Sequence, residues 1–149
     1  MSITEDNQDV LLLTGSNLRL KELIEAARQT HPKVRIDDEA FNKMSQSRQF
    51  VEKLADRGDP VYGLTTGVGV RKKRTIEADV MDKYNEQMLR DHATGQGPQL
   101  SHELVHASTI LLLNTLAAGH TTVRPAVARY IEKQLCEGKH IFRFLKRLL

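Results

Sequence analysis

Apolar residues in this chain recur at helical spacing over most of its length, broken by short extended runs and by glycine. Val10 to Leu13 is a compact apolar run that predicts a short strand. Gly15-Ser16-Asn17 then offers N-cap chemistry, and Leu20, Leu23, Ile24 and Ala27 follow on one side of a first helix that His31-Pro32 ends. Val34-Arg35-Ile36 reads as extended. Asp37 caps a second helix with Phe41, Met44, Val51 and Leu54 inward, and Gly58-Asp59-Pro60 stops it. A third helix is predicted from near Thr75, with Val80, Met81, Tyr84 and Met88 on one face. It ends near His92, because Gly95, Gly97 and Pro98 break any continuation. A fourth runs from after Ser101 to about Ala118 and is apolar nearly all round, which predicts burial on several sides. A fifth begins at Arg124-Pro125, with Val127, Ile131 and Leu135 on one side and Gly138 as its stop. The pattern is that of a mainly α chain.

Composition narrows the class. The 149 residues are enough for one domain with a core, and 40% hydrophobic with 28% charged residues fits a globular rather than a disordered protein. A net charge of +3 is too mild to imply nucleic acid. One cysteine, Cys136, excludes an internal disulfide and suits a reducing, cytoplasmic setting. The opening MSITEDNQD is polar and acidic, unlike a signal peptide, and the apolar stretch around Leu111 is too short to span a bilayer.

Against that background one stretch stands out. VYGLTTGVGV, residues 61–70, places three of the nine glycines, Gly63, Gly67 and Gly69, directly after Tyr62. Such a run disfavours a helix and predicts a loop that bends sharply or moves. It lacks the lysine of a phosphate loop and the third glycine of a dinucleotide loop, since Arg71-Lys72-Lys73-Arg74 follows. Most tyrosines simply pack. One at the root of a glycine loop is a candidate for chemistry.

Two histidine motifs remain. His102-Glu103-Leu104-Val105-His106 matches H-E-x-x-H, in which two histidines one turn apart bind zinc and the glutamate is a base. Glu132 is a conceivable third ligand. The plainer reading puts both histidines on the solvent face of a helix N-terminus, with no metal. His92, in RDHATGQG, reads as a polar helix end close to the last carbonyls.

Taken together, these segments resemble one family. VYGLTTGVG resembles the inner active-site loop of the aromatic amino-acid ammonia-lyases, the histidine and phenylalanine ammonia-lyase superfamily. NEQMLRDHATGQGP and LLLNTLAAGHTTVRP resemble the segments that follow it there, and the order is kept over about residues 10 to 138. The resemblance implies the helical N-terminal part of that fold, with the central bundle missing. It implies non-oxidative removal of ammonia from histidine or an aromatic amino acid, with Tyr62 as the base that takes the β-proton. Gly63, Gly67 and Gly69 would let the loop open and close, and His92 would select the substrate. Asp91 departs from the serine usual before that histidine, which leaves the amino acid open. Asn114 and Arg124 fall in matched segments and read as structural, a buried polar contact and a helix start.

The family's electrophile is a methylidene-imidazolone group made from an Ala-Ser-Gly triad, and no such triad occurs in these residues. The expected organisation is a polar tail at 1–9, an ammonia-lyase-like domain at 10–138 and a divergent basic, amphipathic tail at 139–149. The change of composition at that point favours a prematurely ended or spliced product, inactive by itself. Expected partners are an amino-acid substrate and either a second copy or a full-length homologue, with no nucleic acid and no membrane span. The rival readings are a non-enzymatic helical interaction module and a small zinc hydrolase built on His102 and His106.

Overall fold

A computed structural model describes residues 10–69, 76, 80–92 and 99–139. Among them run strand β1 (Leu11–Leu13), helix α1 (Leu20–Ala27), strand β2 (Val34–Ile36) and helices α2 (Asp38–Asp56), α3 (Met81–His92), α4 (His102–Ala117) and α5 (Pro125–Cys136). The mainly helical class expected from periodicity holds. The basic run at 71–74, Gly95, Gly97, Pro98 and residues 140–149 lie outside the described residues.

The two strands pair in parallel, Leu11 with Val34 and Leu13 with Ile36. Parallel pairing of neighbouring strands needs a crossover, and α1 supplies it. The outward edge of β2 is closed by α5 side chains. Ile36 N donates to Glu132 Oε2 at 2.7 Å, and the Cys136 thiol donates to Val34 O at 3.3 Å. On the other edge Asn17 Nδ2 donates to Leu12 O at 2.9 Å. Burial pushes the Cys136 thiol above its ordinary pKa, helped by the negative charges of Glu132 and Glu137.

Helix α4 is the centre of the core. It packs chiefly on α1 and α5, and also touches α2 and both strands. Ile110 and Leu113 are fully buried there with Leu13, Ile36, Met44 and Leu135. Across the α2–α5 contact the Arg129 guanidinium lies 4.1 Å from the centre of the Phe41 ring, within cation–π range. None of the described side chains of α3 belongs to this core.

Several local expectations hold and several do not. Asp37 caps α2 by accepting from Glu39 N at 2.9 Å, and Ser101 caps α4 by accepting from Leu104 N at 3.3 Å. Phe41, Met44 and Val51 are buried as expected, Leu54 only partly. Helix α1 is not capped at Gly15-Ser16-Asn17. Asn17 is taken up by Thr14 and Leu12, so the N-cap falls at Arg19, whose amide donates to Glu22 Oε2 at 3.0 Å. Leu20, expected inward, is exposed, because the buried face turns through Leu23, Ala26 and Ala27. In α5 that face is Ala128, Ile131 and Leu135, which leaves Val127 outside. Helix α3 begins at Met81 rather than near Thr75. Ile76 is not helical, and its amide donates instead to Thr65 O at 3.0 Å.

Gly15 shows why one glycine sits before α1. Its φ is +91°, and a Cβ there would lie 2.4 Å from the backbone nitrogen of Ala118. Gly15 N donates to Asn114 Oδ1 at 3.1 Å, so Asn114 makes a structural polar contact as expected, though it is part-buried rather than buried. After α4 the chain turns through Thr122, whose φ of +52° is unusual for a β-branched residue, and Arg48 Nη1 donates to its carbonyl at 3.4 Å. Arg124 then serves as the N-cap of α5 with Pro125 in its first turn.

Candidate functional site

The glycine loop is organised from its base. Val61 O accepts the amides of Leu64, Thr65 and Thr66 at 3.0, 2.9 and 3.2 Å. Thr65 Oγ1 accepts from Val61 N at 2.7 Å and donates to Asp59 O at 3.0 Å. Thr66 and Gly67 are buried, so the base of the loop is anchored while its crest faces outward. Gly63 and Gly69 have φ of +71° and +58°, and a Cβ on either would meet no atom closer than 3.6 Å. Glycine is needed there for the sign of the backbone angle, not for space.

Tyr62 stands on this crest with 64% of its surface exposed. Its hydroxyl oxygen accepts the Gly69 amide at 3.2 Å, a bond that crosses the loop. The next amide back, Val68 N, donates to the hydroxyl of Tyr84 on α3 at 3.3 Å. Two phenols thus hold two successive amides. Tyr84 was legible only as one residue of a helix face. The available signal was that a tyrosine on a largely polar helix needs a partner for its hydroxyl.

His92 is exposed at the end of α3, as its sequence context implied. Its Nδ1 lies 2.8 Å from Met88 O, and because a carbonyl only accepts, Nδ1 is the donor in that contact. Asp91 Oδ1 accepts from Gln87 Nε2 at 2.6 Å, so both members of the Asp91-His92 pair are engaged with their own helix. From Tyr84 to His92 is eight residues, about 12 Å along the helix axis. The loop is therefore tied to the same helix that carries His92, but the recorded bonds do not bring Tyr62 and His92 together.

His102 and His106 sit differently from either sequence reading. Only His102 is exposed. His106 is 2% exposed at the α1–α4 interface, where its Nδ1 lies 3.2 Å from Ala27 O. The expectation that both face solvent fails because α4 is apolar on all sides, so the pattern does not fix which face is buried. Both histidines line a cleft of about 450 Å³ with Arg28, His31, Glu103 and Gly138. Glu103 pairs with Arg28 at 2.9 Å, and Glu132 is committed to β2. Among the described residues no three His, Cys, Asp or Glu side chains are grouped to hold a metal ion. Nor is any helix among them long and apolar enough to cross a membrane.

Comparison with known proteins gives a consistent answer. Residues 18–140 match the family model described as aromatic amino acid lyase. Histidine ammonia-lyase of Gloeobacter violaceus is 35% identical over 132 residues, covering 89% of this chain and 26% of that protein. The enzyme of the same name from Streptomyces griseus is 32% identical over 127 residues, covering 85% and 25%. The ergothionase of Treponema denticola, solved with desmethyl-ergothioneine sulfonic acid, superposes with a TM-score of 0.83 at 33% identity, over 89% of this chain and 26% of that one. Tyrosine aminomutase from Streptomyces globisporus gives 0.76 at 27% identity, over 87% and 24%. The chain spans about a quarter of the length of the relatives it matches. With a family model over most of its length and the same helical arrangement in solved relatives, this chain belongs to the aromatic amino acid lyase family.

Proposed function

We propose that this segment supplies the tyrosine loop of an ammonia-lyase-type site, with histidine or an aromatic amino acid as the substrate class. Tyr62 is the group that takes the proton from the substrate's β-carbon, and His92 contributes to substrate choice. The observation that carries the reading is the presentation of Tyr62. It is exposed on a loop anchored at its base, with its oxygen aimed by the Gly69 amide. Relatives named for histidine, ergothioneine and tyrosine support the substrate class.

The family's methylidene-imidazolone does not fit these residues. No Ala-Ser-Gly triad occurs among the 149 residues, and their one Ala-Ser pair, Ala107-Ser108, lies in the middle of α4. Its amides belong to the helical ladder, and the buried Thr109 hydroxyl donates to Val105 O at 2.8 Å. A regular helix holds those peptide groups apart and cannot cyclise them. The 149 residues by themselves therefore release no ammonia.

A chimera tests the reading. Residues 10–138 would replace the matching quarter of the Gloeobacter violaceus enzyme, with circular dichroism to confirm folding. Urocanate formation that falls at least about 100-fold in kcat on Tyr62→Phe supports the base role. Retention of kcat within twofold rejects it. Urocanate, coumarate or cinnamate above a no-protein blank from the 149-residue chain alone would overturn the claim of inactivity.

Association is the second part of the proposal. Leu104 and Leu111, two helical turns apart on α4, are 54% and 48% exposed, and Leu100 and Leu89 are exposed as well. Apolar surface of this kind favours self-association or capture by a longer homologue. Sedimentation at micromolar concentration gives species larger than a monomer on this reading, and a single monodisperse monomer refutes it.

A further inference from the structure

We propose that Tyr84 is a positioning residue for Tyr62, acting through the Val68 and Gly69 amides. This rests on the reading of Tyr62 as the reactive group, but the anchoring it describes is tested without any turnover.

The geometry points to a two-step hold. Tyr84 is half-buried on α3 and accepts the Val68 amide at 3.3 Å. Tyr62, seven residues back along the loop, accepts the next amide, Gly69, at 3.2 Å. Gly69 is exposed with a positive φ, and among the described residues no atom lies within 4 Å of where its Cβ would sit. The Val68 amide belongs to the Gly67–Val68 peptide, and its bond to the Tyr84 hydroxyl ties that peptide to α3, one residue before the Gly69 amide. When Tyr84 holds Val68, the Gly69 amide is aimed at the Tyr62 oxygen. When Tyr84 lets go, the Gly67–Val68 peptide loses its tie to α3, and through Val68 the Gly69 amide loses its fixed aim at the Tyr62 oxygen. The opposite dependence is weak, because Tyr62 does not reach Val68 N. The base of the loop, built on Val61 O and Thr65, is independent of both phenols.

This gives the loop a latch on α3, the helix that ends in His92. The hydrogen bond of a single phenol is worth little to global stability, because folding forms it in exchange for a bond to water. It is enough to bias a segment that lies between two glycines, Gly67 and Gly69.

The absence of tryptophan and the presence of three tyrosines make the test direct. The full chain is labelled with 3-fluorotyrosine, and ¹⁹F spectra are recorded with amide exchange for the wild type, Tyr84→Phe, Tyr62→Phe and Tyr130→Phe. Tyr84→Phe is expected to speed exchange at both Val68 and Gly69 by roughly three- to tenfold. It should also shift the Tyr62 resonance, with the thermal midpoint unchanged. Tyr62→Phe is expected to speed Gly69 and leave Val68 as it was. Tyr130→Phe, on the exposed side of α5, moves neither amide and leaves the Tyr62 resonance in place. A Tyr84→Phe variant whose Gly69 exchange and Tyr62 resonance match wild type overturns the proposal. So does one that lowers the thermal midpoint along with every amide in the chain, which is the mark of a merely structural residue. Both outcomes leave the role of Tyr62 in turnover to be decided separately by the chimera.

Discussion

The core around α4 and the loop around Tyr62 are held by opposite means. Ile110 and Leu113 have no exposed surface and touch helices and strands on several sides. Their position is set by many weak contacts, none of which has to be aimed. Val68 and Gly69 are held by two directed bonds to two phenols. Many undirected contacts give a platform that tolerates no movement. A few directed ones give a segment whose position can be changed by removing a single oxygen atom. A site that must admit a substrate and then close is built from the second kind on top of the first.

The sharpest way to break this comparison is to cut into the platform. Leu113→Ala is expected to cost about 3–5 kcal/mol in denaturant unfolding, the cavity having no room to collapse. A cost near 1 kcal/mol would mean that α4 is not central. Gly15→Ala comes next, at about 2–3 kcal/mol, from the clash with Ala118 and the left-handed backbone. Thr122→Gly acts in the other direction and is expected to stabilise the chain by about 1 kcal/mol, by relieving a β-branched residue of its positive φ. A destabilised Thr122→Gly would show that the threonine side chain holds that turn. Leu89→Ala on α3, outside the core, should change stability by less than about 0.5 kcal/mol. The smallest effect is chemical. Cys136 should react with a maleimide more slowly than a free thiol at pH 8, because its raised pKa leaves less thiolate at that pH. Faster alkylation would mean that α5 opens away from β2.

The elements that could be read from sequence are those whose signal is local. Asp37, Ser101 and Arg124-Pro125 each mark a helix start by their own chemistry. The two strands were legible as short apolar runs, though not their pairing, which depends on residues more than twenty positions apart. Faces were harder. In α1 and α5 the apolar stripe is wide enough that Leu20 and Val127 belong to it by pattern yet lie outside the buried arc. In α4 no stripe exists, so the burial of His106 was invisible until α1 was placed against it. At the candidate site, the loop and Tyr62 were marked by their glycines. The contribution of Tyr84 was not, because it consists of one bond across sixteen residues.

The side-chain bonds along the two strand edges have a consequence for how this chain meets others. A bare two-stranded sheet is an invitation to templating, since any passing extended peptide can add a third strand and start a fibril. Here Glu132 and Cys136 occupy two of the hydrogen-bonding groups that such a strand would need on β2, Ile36 N and Val34 O, and Asn17 occupies the carbonyl of Leu12 on β1. An intruder would have to strip those side chains off first. Any contact between copies is thereby steered away from strand addition and amyloid-like growth.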